Sequence, residues 1–187
     1  QALQRLVDRG LLTRRRGVGT IVSPRHVHRP MELTSLMRDL VNAGHKVHTT
    51  IQHYEARPAT AQEADTLKIT EGTLVVHIER TRFADNEPIA VLTNLIPADI
   101  APTMQELESA SLYDLMRERG VTLASARQII GARSATTKEA KLLSEHRGAA
   151  LLTSQRTTYD PSGRIVECGD HIYRASRYSF EASLFAQ

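Results

Sequence analysis

From residue 59 the sequence repeats itself at an offset of 76, and this repeat limits the possible folds more than any other feature. Ala59-Thr60-Ala61-Gln62-Glu63-Ala64 matches Ala135-Thr136-Thr137-Lys138-Glu139-Ala140. Leu67 then meets Leu143, Gly72 meets Gly148, Arg80 meets Arg156, Thr81 meets Thr157 and Ile89 meets Ile165. In both copies Thr-x-x-Glu is a capping box that opens a short helix. A glycine follows, and then a long strand over 73–83 or 149–159. The chain turns at Asp85-Asn86 or at Asp160-Pro161-Ser162-Gly163, and a second strand returns. Each copy is a helix plus a β-hairpin. Two copies predict an α+β fold, a pseudo-symmetric antiparallel sheet with helices on one face.

Two further helices complete the expected body. Ser111-Leu112-Tyr113-Asp114 starts one between the copies, and Gly120 ends it. Ahead of the first copy, Leu33, Leu36, Met37, Leu40 and Val41 make one apolar face that Gly44 closes, with Thr34 or Ser35 as cap.

Symmetry explains shared structure, so departures from it mark candidate functional residues. Val76, Ile78, Arg80 and Arg82 alternate onto one face of their strand, whereas the second copy has Leu152, Ser154, Arg156 and Thr158. The first copy therefore carries an extra cation beside Arg80. Guanidinium groups about 7 Å apart on one strand face repel unless an anion or acid lies between them. A planar fork grips carboxylate or phosphate bidentately. The plainer reading pairs Arg80 and Arg82 with acids such as Glu167, or leaves them in solvent. Glu167 and Tyr173 are six residues apart in a strand and share a face.

Charge divides the chain unevenly. Residues 1–30 hold seven Arg against one acid, Asp8, for +6; the rest holds 17 basic and 20 acidic side chains, for −3. In the basic tip, Ala2, Leu3, Leu6 and Val7 have helical spacing and Gly10 is the stop. Leu11 to Arg16 reads as a strand, Gly17-Val18-Gly19 as a tight turn and Thr20-Ile21-Val22 as the return. Ser23 to Pro30, with two Pro, two His and two Arg, has little to bury and reads as a linker. The expected division is 1–23 for the basic unit, 24–31 for the linker and 32–187 for the body. A body of roughly 150 residues buries about 70% of its unfolded surface, enough for an independent core.

Other features exclude. No apolar run approaches ~18 residues and no signal pattern opens the chain, so no membrane partner is expected. The single cysteine, Cys168, makes no internal disulfide, which fits a cytoplasmic protein, and reads as a packed small residue. No Trp and 4% aromatic residues argue against a stacking platform for single-stranded nucleic acid. His26, His28, His45 and His48 have no Cys pair or carboxylate to complete a metal site, and neither metal nor cofactor is expected.

Leu3-Gln4-Arg5-Leu6, Gly10-Leu11-Leu12 and Arg14-Arg15-Arg16-Gly17-Val18-Gly19-Thr20 together resemble the end of the winged helix-turn-helix of GntR-type repressors. The body resembles the UTRA effector-binding domain of that family's HutC-like branch, whose fold, an antiparallel sheet of the six-stranded type, is that of chorismate lyase. The resemblance rests on Ile78-Glu79-Arg80-Thr81-Arg82, Asn86-Glu87-Pro88-Ile89, Ser111-Leu112-Tyr113, and Tyr173-Arg174 before Arg177-Tyr178. It implies a ligand-responsive repressor, homodimeric through its effector domain, and no enzyme. The wing residues Arg14, Arg15, Arg16, Gly17, Gly19 and Thr20 are expected at operator DNA. The chain is expected to begin after the base-reading turn of the recognition helix. The resemblance also implies a small anionic effector, a sugar phosphate or an organic acid. Ser35, Leu36 and Met37 at a helix start would hold it against Arg80 and Arg82, with Ser111, Tyr113, Glu167 and Tyr173 as further contacts. Leu92 and Met37 stand where the family's amino-sugar-phosphate sensors carry a glutamate and a hydroxyl, so a less polar ligand body is expected. The rival reading is a chorismate lyase-like enzyme using Arg80, Arg82 and Glu167 on a small carboxylate.

Overall fold

The computed structural model describes residues 12–15, 19–22, 27–30, 33–182 and 184, with the backbone alone in 12–15, 19–22 and 28–30. The basic tip contains the expected hairpin. Strand β1 (Leu12–Arg15) pairs antiparallel with β2 (Gly19–Val22), setting Arg14 opposite Thr20 and Arg15 opposite Gly19. The helix expected over residues 2–10, and Arg16, Gly17 and Val18 at the turn, lie outside the described residues. Within the segment read as a linker, Val27–Pro30 forms strand β3. Val27 is buried, so this segment does have something to bury.

The body runs α1 (Leu36–Asn42), β4 (Val47–Pro58), α2 (Ala61–Leu67), β5 (Leu74–Ala84), β6 (Glu87–Pro97), α3 (Met104–Ser109) and α4 (Leu112–Glu118). It continues with β7 (Ser125–Ser134), α5 (Thr137–Leu142), β8 (Ala150–Tyr159), β9 (Ile165–Arg174) and β10 (Tyr178–Glu181). Six strands form one antiparallel sheet in the order β4-β5-β6-β9-β8-β7. The order follows from the repeat: each copy contributes three strands, and the copies meet at β6 and β9.

The duplication extends to individual bonds. Thr60 and Thr136 both cap their helices inside full capping boxes. Arg57 grips Glu63 with two bonds of 2.7 Å, and Arg133 grips Glu139 with bonds of 2.8 and 2.6 Å. The Gly72 amide donates to the Ala59 carbonyl, and Gly148 to Ala135, both at 3.1 Å. Those glycines have φ of 81° and 82°, a left-handed conformation that side chains disfavour.

The sequence match slips in one place. Pairing passes from Arg82–Ala90 to Phe83–Pro88 in the first hairpin, and from Thr158–Glu167 to Tyr159–Ile165 in the second. Ile89 and Val166 are therefore equivalent bulge residues, and the second turn is one residue longer. Beyond the turns the copies correspond at an offset of 77, so Ile89 matches Val166 and not Ile165. At that offset Thr93 is the counterpart of Asp170, and the two are directly opposed. A pseudo-two-fold axis passes between them.

Helices cover both faces of the sheet, which corrects the expectation of one. Neighbouring strand residues point to opposite faces. Val76 and Ile78 pack with Leu112, Leu115 and Met116 of α4, whereas Val75 packs with Ala64 and Leu67 of α2. Val91 meets Ala140 of α5, and its neighbour Leu92 meets Leu36 and Leu40 of α1. Thus α2 and α5 share one face, and α1 and α4 lie on the other. The strands require this because they bury residues in both directions. Val41 is not part of the buried face of α1; it is 53% exposed.

Candidate functional site

Strand register arranges the face under α1 and α4 in rows. Arg82, Ala90, Tyr173 and Leu152 make the first; Arg80, Leu92, His171 and Ser154 the second; Ile78, Asn94, Gly169 and Arg156 the third. The pseudo-two-fold exchanges the second and third rows, matching Arg80 with Arg156, Leu92 with Gly169, His171 with Asn94 and Ser154 with Ile78. Beyond them, Thr158 and Glu167 are the counterparts of Arg82 and Ala90.

A cavity of about 400 Å³, open solvent at its mouth included, lies over these rows and is roofed by the starts of α1 and α4. Eight of the nine expected residues line it: Ser35, Leu36, Met37, Arg80, Arg82, Ser111, Tyr113 and Tyr173. Ser35 is the N-cap of α1 and accepts from the Arg38 amide. Ser111 opens α4 but makes no capping bond, and its buried Oγ has no hydrogen-bond partner among the described residues.

Arg80 and Arg82 are each 2% exposed. Arg80 Nη2 donates to Asn94 Oδ1 at 2.7 Å, and Arg82 Nη1 donates to Thr49 Oγ1. Among the described residues, Arg80 Nε, Arg80 Nη1 and Arg82 Nε are buried without a hydrogen-bond partner. Burial pulls the Arg80 pKa down to about 10, partly offset by Glu167. Burial, reinforced by the like charge of Arg80, pulls Arg82 down to about 9. Desolvated charges with unmet donors are costly to keep, and such groups mark functional sites.

Glu167 does not line the cavity. It lies behind Asn94, which donates Nδ2 to Glu167 Oε1 at 2.6 Å. Glu167 Oε2 accepts from Thr158 Oγ1 at 2.9 Å and from Tyr113 OH at 3.2 Å. Burial raises its pKa, against those hydrogen bonds and the charge of Arg156. The carboxylate therefore braces Asn94 and Tyr113; its charge is felt at Arg80, but its hydrogen-bond link to Arg80 runs through Asn94. Burial also raises the Tyr113 hydroxyl to about 12. Arg156 holds Gln128 Oε1 with Nε at 2.8 Å and Nη2 at 2.6 Å, so unlike Arg80 it is occupied within the protein.

Asn94, Arg156 and His171 also line the cavity and were not singled out from sequence as site residues. The repeat holds the signal for them, but only at the corrected offset. At 76, Asn94 falls on Asp170, which points to the other face; at 77 it falls on His171. Gly169 makes this floor possible. A Cβ there would stand 2.5 Å from His171 Nε2 and 2.6 Å from Glu167 Oε1.

Elsewhere, His45 Nδ1 lies 2.7 Å from Asp85 Oδ2, and His48 stacks on Phe83. Among the described residues no three His, Cys, Asp or Glu cluster as a metal site. Cys168 packs beside Ala64 and Leu67, and burial lifts its thiol to about 11. Among the described residues no helix is long and apolar enough to cross a membrane.

Comparison with known proteins agrees with the fold. The family model described as the UTRA domain matches residues 42–179. The chain is 32% identical over 183 residues to the HTH-type transcriptional repressor NagR of Bacillus subtilis (strain 168), covering 96% of this chain and 75% of that protein. The structure of PhnF from Mycobacterium smegmatis superposes with a TM-score of 0.87 at 25% identity, covering 100% of this chain and 84% of that one. That of a transcriptional regulator from Streptomyces coelicolor gives a TM-score of 0.68 at 48% identity, covering 76% of this chain and 96% of that one.

Proposed function

The chain belongs to the UTRA-domain family of GntR-type transcriptional regulators, in the HutC-like branch of repressors and not among enzymes, and from that premise we propose that its body senses a small anionic metabolite. The observation that carries the proposal is the pair of buried guanidinium groups with unmet donors, Arg80 Nε and Nη1 and Arg82 Nε, at the wall of a cavity. An anion there supplies the missing acceptors and the opposite charge, and the planar forks suit phosphate or carboxylate. Beside the polar Ser111, Asn94 and His171, the wall has an apolar part, Leu36, Met37, Leu92 and Tyr173, that suits a ligand body less polar than an amino sugar.

In this reading the effector draws α1 toward Arg80 and Arg82, and residues 24–31 pass that movement to a DNA-binding unit that ends near residue 23. Arg14, Arg15, Arg16, Gly17, Gly19 and Thr20 form a wing at operator DNA. Two copies associate through residues 32–187, so a changed spacing of the heads alters the fit to paired half-sites in the cytoplasm. The test is a thermal-shift screen of phosphosugars and small carboxylic acids. A hit at a hundredfold excess over Kd stabilises by about 2.7 kcal/mol. The shift must vanish in Arg82→Ala; a shift that persists there places the ligand elsewhere.

A further inference from the structure

Tyr173 lies in the first row of the floor, with only Ala90 between it and Arg82 in the register. Ala90 is fully buried and small, so no long side chain stands between them in the row. The Tyr173 ring forms part of the cavity wall. It stacks on Tyr178, with ring centroids 4.3 Å apart and an interplanar angle of 16°. Phe180 closes the group edge-on, 5.3 Å from Tyr173 and 5.2 Å from Tyr178.

Tyr178 belongs to β10, which lies outside the six-stranded sheet and pairs in parallel with β3, Tyr178 opposite Val27. The Val27 amide donates to the Arg177 carbonyl at 2.7 Å. Val27, Tyr173, Tyr178, Leu92 and the α1 residues Leu36 and Leu40 form one packed cluster. Just before β10 the chain is anchored: Arg174 reaches Glu145 at 3.0 Å and Glu87 at 3.2 Å. Ser176 is held on Glu145 at 2.5 Å and Arg177 lies 3.7 Å from Glu87, so the aromatic stack is the contact through which β10, and β3 with it, meets the cavity wall. Packed aromatic contacts shift between discrete arrangements and do not deform continuously.

We propose that Tyr178 is a positioning residue that couples the effector cavity to β3, the strand between the basic hairpin and the body. This rests on the anion-sensing reading above and adds the route by which occupancy leaves the cavity. Tyr178 touches no effector; it acts through Tyr173.

The test measures amide hydrogen exchange of residues 27–29, the part of β3 that carries amide protons. Without ligand, Tyr173→Leu and Tyr178→Leu each speed exchange in β3 by about tenfold and leave β7 unchanged, and the double variant adds little to either. Tyr178→Phe keeps the stack and exchanges as the parent does. If β3 in Tyr173→Leu exchanges at the parent rate, the coupling is wrong. With inorganic phosphate as probe, the parent and Tyr178→Leu bind equally in calorimetry, but only the parent changes its β3 exchange. An equal change in both overturns the coupling. Phosphate that fails to bind the parent counts against the anion reading, and the ligand-free arm still decides the coupling.

Discussion

Arg82 shows most directly how a single residue trades stability for recognition. Its folded pKa of about 9 lies below the ordinary 12.5 because burial and Arg80 disfavour its charge. The penalty is therefore fully present at neutral pH and fades as pH rises from about 9 toward 12.5. We expect Arg82→Met to stabilise the unliganded protein by about 1–2 kcal/mol in urea unfolding, since it removes an unpaired buried charge. For the parent, anion affinity should hold up to about pH 9, then fall by about tenfold per unit as Arg82 loses its charge, and more steeply above about 10 as Arg80 does, because the free site must regain those protons to bind. Calorimetry across pH 7–10.5 checks this. Gly169→Ala should cost about 1–3 kcal/mol, since the added methyl meets Glu167, which three hydrogen bonds hold in place. At this scale the sequence was readable where chemistry broke the repeat, as at Arg82 against Thr158. It was unreadable at Asn94 and His171, because one extra turn residue shifts the match and, in a strand, a one-residue shift exchanges faces.

Among the elements, the helix-plus-hairpin units were legible because capping boxes and turn residues are local signals. Their equivalence gives a quantitative expectation. Glu63 and Glu139 each close a capping box and take a bidentate arginine, and both carboxyls are held down at about 2. Their folded pKa lies below the ordinary 4.5, so their contribution is present above that value and is lost as pH falls toward 2. Both sites are solvent-screened, so Glu63→Gln and Glu139→Gln should each cost only about 1 kcal/mol, and the two should add. Urea midpoints of the single and double variants measure both claims. What local signals missed was tertiary. A strand that buries one face looks much like one that buries both, so the helices of the second face were misplaced. Nothing within 24–31 announces that Val27–Pro30 finds its partner some 150 residues away in β10.

For the whole molecule, the net charge of +3 averages a basic tip against a slightly acidic body, and the body hides its own cationic spot at Arg80 and Arg82. In the proposed function the two charges serve different partners, the tip operator DNA and the buried pair a metabolite. Replacing Arg14, Arg15 and Arg16 by Ala should flatten the salt dependence of operator binding. The slope should change by about 0.9 for each phosphate that the wing no longer neutralises, with effector affinity unchanged. The central claim concerns the pair in the body, and calorimetric titration of phosphate esters and small carboxylates into this chain and its Arg82→Met variant tests it most directly. The predicted result is at least one ligand whose affinity falls by about a hundredfold or more in a variant that remains folded. Equal affinity of the parent and the folded variant for every ligand that binds would contradict it.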